Sequence, residues 1–343
     1  MTRDRRMHAM LGLCTAILAV AALYLARAIL GPVAFALLII AIVWPLQRAL
    51  QARIPQLLAL AITLVVTILA VTALASMVVW GFGRAGQWLI SNAARFQMLY
   101  QQAADWLEQH GILVAGLLAE HFNVASLIAI VRVVSVRLQS LVTFLLLALV
   151  FVMLGLLEVD LARSKLEFAS NREVGQTLLR ATAEIAAKLR RFMLVRSLMS
   201  VVTGIFVWGF ASLAGLELAA AWGVIAFALN YIPFIGPFVA TVLPTLFAIA
   251  QFASWQMAVL VFLGLNLIQF LLGSYLEPRI AGAALSLSPF MVLFAVFFWS
   301  FLWGLPGALI GVPIMIALHT LCAQYPSGRW LAAVLSGRAG EPA

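Results

Sequence analysis

LAAAWGVIAFALNYIPFIGPFVATVLPTLFAIAQF, residues 218–252, decides how this chain folds. It holds two apolar arms, Leu218–Tyr231 and Phe238–Phe252, around the tip Ile232-Pro233-Phe234-Ile235-Gly236-Pro237. Pro233 and Pro237 lack the amide proton that a helix interior needs, and Gly236 permits a tight turn. At a rise of ~1.5 Å per residue each arm reaches about 21–23 Å, short of a hydrocarbon core roughly 30 Å thick. The stretch therefore predicts a re-entrant hairpin over 218–253 that enters the membrane, turns and leaves on the same side. Two tilted full crossings would give the same parity. Irregular backbone at that depth has to be covered by protein or a wet cavity.

Working outward, apolar runs long enough to cross as helices lie near 9–29, 32–47, 56–82, 138–157, 197–216, 256–275, 286–303 and 305–322. The chain of 343 residues is 65% hydrophobic and 10% charged, with a mean hydropathy of +1.11. So few charges cannot solvate a 37.2 kDa globule, which excludes a soluble enzyme, a disordered chain and a disulfide scaffold. The expected fold is an all-α polytopic membrane protein, 1–343 as a single membrane domain, with about eight transmembrane helices plus the hairpin. Met1-Thr2-Arg3-Asp4-Arg5-Arg6 resembles the start of a signal peptide and Ala26-Arg27-Ala28 a cleavage site, but the apolar run is too long and a second span follows at once. The first helix is read as retained.

A net charge of +9 and a pI near 10.5 would suit nucleic acid if the basic residues formed one surface. They cluster instead between apolar runs, as the positive-inside rule predicts. With the N-terminus inside, Arg3, Arg5, Arg6, Arg48, Arg53, the basic loop 158–196, Arg329 and Arg338 are cytoplasmic. The outer segment 83–137 holds only Arg84, Arg95, Arg132 and Arg137. Both termini are read as cytoplasmic, in a bacterial inner membrane, with lipid and no nucleic acid as partners.

Segment 84–135 mixes Trp88, Phe96, Tyr100 and Trp106 with Asp105 and Glu108, and reads as outer amphipathic helix on the membrane or on neighbouring protein. Its His110, Glu120 and His121 lack any metal-ligand spacing. Cys14 and Cys322 are read as packing residues. Within 158–196, Val174, Leu178, Ala181, Ile185, Leu189 and Phe192 share one helical face, with Arg180, Glu184 and Lys188 at i, i+4 on another. That pattern predicts a cytoplasmic amphipathic helix.

Between Ser197 and Gly328 the charged residues are Glu217, Glu277 and Arg279. Glu217 reads as interfacial. A charge at membrane depth costs at least about 2.5–3.5 kcal/mol, so Glu277-Pro278-Arg279 predicts either a solute, ion or gate contact or a structural pair at the membrane edge. Pro278 biases Glu277 away from helical geometry. Asn266, Gln269, Gly273 and Glu277 lie within about 80° of one another on a helix, a polar stripe that suits a passage or a neighbouring helix. Asn230, Tyr231, Pro233, Gly236 and Pro237 form the hairpin tip, where freed carbonyls and helix ends are the usual material of membrane binding sites. Gly304, Gly307, Gly311 and Pro313 read as close helix packing. His319 reads as packing or bonding to backbone. No phosphate loop, no nucleophile elbow and no metal or cofactor motif is present in the sequence.

The stretches Trp222–Pro237, Leu276–Gly282 and Gly304–Pro313, in this order and separation, resemble the autoinducer-2 exporter family of bacterial membrane transporters. The resemblance covers most of the chain, most specifically 190–320. It implies an inner-membrane permease, homo-oligomeric, exporting a small polar solute such as autoinducer-2; some members are associated with sodium/proton antiport. It places Asn230, Pro233, Gly236, Pro237, Glu277, Pro278 and Arg279 at the family's motif positions. The chain departs from the family where a basic residue often follows the motif glycine, here Ala283 or Ala284, and at His319, near a position often held by lysine. The expected mechanism moves the 218–253 hairpin against the 256–322 helices, with Glu277 binding a proton or monovalent cation, Arg279 paired with it, and Asn230, Asn266 and Gln269 along the route. A sodium(lithium)/proton antiporter and a non-transporting scaffold stand as alternatives. Small polar solute, cation or proton are the expected cargoes, with no cofactor.

Overall fold

A computed structural model of the chain describes residues 2–110, 124–168, 172–281, 287–325 and 328–336. Their order is α1 (Thr2–Leu25), α2 (Arg27–Gln51), α3 (Gln56–Ser91), α4 (Ala93–Gln109), α5 (Val124–Glu167), α6 (Arg172–Leu213), α7 (Ala219–Leu229), α8 (Ile235–Phe252), α9 (Trp255–Gln269), a π-helical segment (Phe270–Leu276), α10 (Glu277–Ala281), α11 (Pro289–Trp303), α12 (Leu305–Gln324) and α13 (Arg329–Leu335). Among the described residues the one bridge outside helix joins Leu287 to Ser336. Among the described residues seven helical stretches are long and apolar enough to cross a membrane: α2, α3, Ile128–Glu167, α6, α8, Trp255–Leu276 and α12. Met10–Leu25, α7 and α11 are apolar but shorter. The protein is an all-helical polytopic membrane protein.

Helix boundaries differ from the apolar runs for a simple reason. No proline lies between Pro55 and Pro233, so nothing breaks a helix where polarity changes. The expected span 138–157 sits inside the 44-residue α5. The amphipathic stretch 172–196 and the span 197–216 share the 42-residue α6. Within the expected outer segment, residues 84–91 complete α3, and among its described residues α4 is the separate amphipathic element. His121, Glu120, Ala283, Ala284 and Arg338 lie outside the described residues.

The hairpin is asymmetric. α7 has 11 residues, about 16 Å of helix, and cannot cross a core of roughly 30 Å. α8 has 18 residues because it begins at Ile235. Pro237 then falls in its first turn, where a missing amide removes no helical bond. The non-helical tip thus shrinks to the residues before Ile235 rather than running to Pro237. The backbone N–H of Glu217 donates to Oε1 of Gln251 at 2.9 Å, and Nε2 of Gln251 donates to the Gly215 carbonyl at 2.8 Å. The two ends of the hairpin therefore meet. Its three corners carry the described non-glycine residues with positive φ: Leu218 (59°), Phe234 (62°) and Ala253 (47°). Each such residue costs on the order of 1–3 kcal/mol and persists only where surrounding contacts hold it.

Contacts divide the chain into two compact units. One comprises residues 1–65, 143–190 and 286–343. In it α11 and α12 form a tight pair around Gly304 (φ 68°), and α12 also lies against α2 and α13. A Cβ on Gly307 would fall into the Trp299 carbonyl, and one on Gly311 would sit 2.8 Å from the Ala295 carbonyl oxygen, so these glycines set how closely α11 and α12 approach. Pro313 is buried within α12. Nη1 of Arg190 donates to the Ala41 carbonyl (2.9 Å), and Lys188 pairs with Glu184 (2.7 Å) and donates to Thr320 Oγ1 (3.2 Å).

The other unit comprises 66–142 and 191–285. Its core gathers Trp88, Val207, Trp222, Ile225, Phe247, Val261 and Leu265 from α3, α6, α7, α8 and α9. α8 packs against both α7 and α9. At the tip, a Cβ on Gly236 would fall into the Leu229 carbonyl, whereas one on Gly209, within α6, meets nothing within 4 Å. Gly236→Ala is expected to cost at least ~2 kcal/mol, by overpacking against backbone. Gly209→Ala should be neutral or stabilising by about 0.5–1 kcal/mol, the ordinary helical preference. Thermal unfolding in detergent checks both; equal shifts in the two variants would contradict the close-packed tip.

Candidate functional site

Residues Arg196, Ser200, Thr203 and Val207 recur at steps of four, three and four along α6, which puts them on one face. All four are buried. Glycines let α7 come down onto this face. A Cβ on Gly204 would lie 2.9 Å from the Gly223 carbonyl oxygen, and one on Gly223 would lie 2.8 Å from that of Gly204. Backbone meets backbone, and the tip following α7 is delivered against the polar stripe. There the buried Asn230 donates from Nδ2 to Ser200 Oγ at 3.2 Å, and the Tyr231 hydroxyl donates to Ser197 Oγ at 2.8 Å. The Tyr231 ring is edge-on to Phe227, with centroids 5.7 Å apart.

On the same stripe Nη1 of Arg196 donates to Oε1 of Glu277. Side-chain exposure is 7% for Arg196 and 15% for Glu277, so this is an ion pair removed from solvent. Nε of Arg196 is buried and has no hydrogen-bond partner. A guanidinium carries five donors, and leaving one bare in a low-dielectric setting costs about 1–3 kcal/mol. The arrangement is an ion pair with a spare donor beside two hydroxyls, an amide and a phenol. It suits recognition of a small oxygen-bearing solute.

Glu277 reaches Arg196 from the end of the π-helical segment Phe270–Leu276. Its N–H donates to the Leu272 carbonyl, five residues back, and its backbone is helical (φ −57°, ψ −48°). The expectation that Pro278 turns Glu277 out of helical geometry is thus corrected. The wider π turn shifts the bonding pattern, so a residue without an amide proton follows with the helix continuing through it. The expected pairing of Glu277 with Arg279 is also corrected. Arg279 is exposed and its guanidinium lies over the Tyr275 ring, 3.8 Å from the centroid. Two residues apart on a helix, the acid and base at 277 and 279 point in different directions.

The remaining expected site residues divide. Pro233 and Pro237 are half-buried beside the buried Gly236 at the tip. Asn266 is exposed and donates back to the Phe262 carbonyl of its own helix at 2.8 Å, so it does not join the cluster. Gln269 and Gly273 are half-buried on the stretch leading to Glu277. Among the described residues no three His, Cys, Asp or Glu side chains come together as a metal site. His319 is buried in α12.

At the base of the hairpin the Trp88 indole N–H donates to the Glu217 carboxylate, and Trp222 Nε1 donates to the Glu217 carbonyl at 3.2 Å. Trp88 also lies on Phe247, with centroids 3.5 Å apart. The hairpin is held at its base by Glu217 and at its tip by Ser197 and Ser200. Reading the sequence for charges alone missed Ser197, Ser200 and Thr203, and left Arg196 within the cytoplasmic basic loop 158–196. The available signal was their helical spacing from Arg196 inside a run otherwise read as plain span.

The AI-2E family transporter model matches residues 13–327. AI-2 transport protein TqsA of Escherichia coli (strain K12) is 28% identical over 314 residues, covering 91% of this chain and 90% of that protein. "Putative transport protein YhhT" of the same organism is 25% identical over 341 residues, covering 96% and 94%. A "Putative transport protein" of Borreliella burgdorferi is 31% identical over 178 residues, covering 51% and 49%.

Breaking a buried ion pair from one side leaves an uncompensated charge and costs about 3–5 kcal/mol, whereas neutralising both partners costs far less. Arg196→Gln and Glu277→Gln are each expected to destabilise the protein by that order. The double variant should recover most of the loss, as a double-mutant cycle of melting temperatures in detergent reads. Additive losses would show that the two side chains are not coupled.

Proposed function

Because the chain belongs to the AI-2E transporter family, and is thus a transporter rather than an enzyme, we propose that it exports a small polar solute, similar to autoinducer-2, across the bacterial inner membrane. In this reading both termini are cytoplasmic, as the distribution of lysine and arginine supports. The hairpin 218–253 re-enters the membrane, which the 11-residue length of α7 and the meeting of the hairpin ends support. Self-association follows the resemblance stated from the motifs. TqsA is named for AI-2 transport, which supports a cargo of that kind.

One observation carries the site assignment: the buried Arg196–Glu277 pair, with a bare Nε, on the face that receives Asn230 and Tyr231. Binding exchanges partners. A solute oxygen takes the free Nε–H, and solute hydroxyls replace Asn230 and Tyr231 on Ser200 and Ser197. The two serine exchanges are nearly neutral in energy because a hydrogen bond is broken for each one made, whereas the bond to Nε satisfies a donor that was bare. Releasing those two contacts unfastens the tip while Glu217 still holds the base, so the hairpin can move about its base. The strained φ values at Leu218 and Ala253 lie where such a hinge would act.

Counterflow in proteoliposomes with a panel of small polar solutes tests this. Wild-type protein should exchange at least one labelled solute. Glu277→Gln and Arg196→Gln should each lower the rate tenfold or more. The double Gln variant should remain slow even though it regains stability. Wild-type rates in the double variant would remove the pair from the mechanism. Sodium or lithium flux driven by a pH gradient, with no solute exchange, would replace solute export with cation/proton antiport.

A further inference from the structure

A cavity of about 840 Å³ lies in the unit formed by residues 1–65, 143–190 and 286–343, and neither residue of the ion pair described above lines it. Its walls come from α2 between Ala34 and Arg48, the end of α5, the amphipathic first half of α6 and α12 between Ile310 and Leu321. The size falls within the roughly 300–1,000 Å³ of ordinary ligand sites. Almost every wall residue is aliphatic, among them Leu38, Ile310 and Ile314, with Trp44 the one aromatic. The aliphatic part of such a wall offers nothing to the small polar solute proposed above, which would lose its hydration there without replacement.

The charged residues of the wall are Arg48, Arg163 and Arg190, and no aspartate or glutamate lines it. Arg190 is engaged with the Ala41 carbonyl. Arg163 pairs with Glu167 in an exposed i, i+4 contact, of a kind worth at most ~1 kcal/mol and readily rearranged. Arg48 is exposed and has no carboxylate partner among the described residues. An apolar hollow with guanidiniums at its rim, Arg48 without a carboxylate partner and Arg163 in a weak one, suits an occupant that is hydrocarbon at one end and anionic at the other. Basic pockets between helices on the cytoplasmic side meet such molecules in the inner leaflet itself. We propose that this cavity holds an acyl chain of an anionic phospholipid whose phosphate lies against Arg48 and Arg163.

The test uses the full-length protein reconstituted in vesicles of equal phosphatidylglycerol and phosphatidylcholine, extracted gently, and weighed intact by native mass spectrometry. Wild-type protein should retain phosphatidylglycerol in preference to phosphatidylcholine. A basic residue near an anionic surface is worth about 1 kcal/mol, or fivefold. Arg48→Gln with Arg163→Gln should therefore lower retention about 25-fold, and both sites are exposed enough for the fold to stand. Ala186→Trp or Ala317→Trp, filling the wall while keeping every arginine, should remove the retained lipid as well. Equal retention of the two lipids by wild-type protein would overturn the proposal. Retention unchanged in both kinds of variant would also overturn it. If the tryptophan variants instead split an oligomer with the lipid count unchanged, the cavity is a contact between copies and the lipid proposal fails.

Discussion

A chain that breaks between two apolar helices has to give the break somewhere to hide. Unpaired backbone amides and carbonyls cost several kcal/mol in hydrocarbon, so such a break needs protein against it. For the residues that end α7 that protein is the polar stripe of α6, which receives Asn230 and Tyr231 while Phe234 stays exposed. Its glycine at 204 meets Gly223 so closely that no side chain fits between the helices. The polar face follows from the same need. Asn230 and Tyr231 would be stranded in the interior without Ser200 and Ser197 to receive their protons.

The arms, the punctuation of the tip and the small residues between Gly304 and Pro313 could be read directly, because glycine and proline act through backbone geometry that needs no partner. Where the argument depended on a partner, it read less well. Arg279 stands two residues from Glu277, and proximity in sequence suggested a pair. The acid found Arg196, eighty-one positions away, because α6 and the end of the π-helical segment are packed together while i and i+2 diverge on a helix. Nothing in FLLGSYL marks Phe270–Leu276 as π-helical. That widened turn is a property of the packed state, and it determines which way Glu277 faces.

Helix ends were misplaced for a related reason. Hydropathy changes at residue 196, but a helix ends only where its hydrogen bonding is interrupted. Without a proline from 56 to 232, α3, α5 and α6 run on through changes of polarity. The residue that matters most on α6, Arg196, sits where the amphipathic part becomes the span. A basic residue at such a boundary satisfies the positive-inside rule whether it faces water or turns inward to a carboxylate. Composition cannot separate those two cases, and only the burial of the partner does.

One rule then accounts for both charged features of the molecule. A guanidinium near hydrocarbon needs an anion, because arginine cannot escape by losing its proton. Arg196 meets that need within the chain, through Glu277, and the pair so formed is costly to separate from one side. At the rim of the apolar cavity the chain supplies three guanidiniums and no carboxylate in the wall. Arg163 has Glu167 and Arg190 has the Ala41 carbonyl, so Arg48 is the guanidinium there for which we propose an anion from a leaflet of anionic lipid. On the readings proposed above, the first is a site that a polar solute opens by exchanging partners, and the second is one that an amphiphile fills without opening anything.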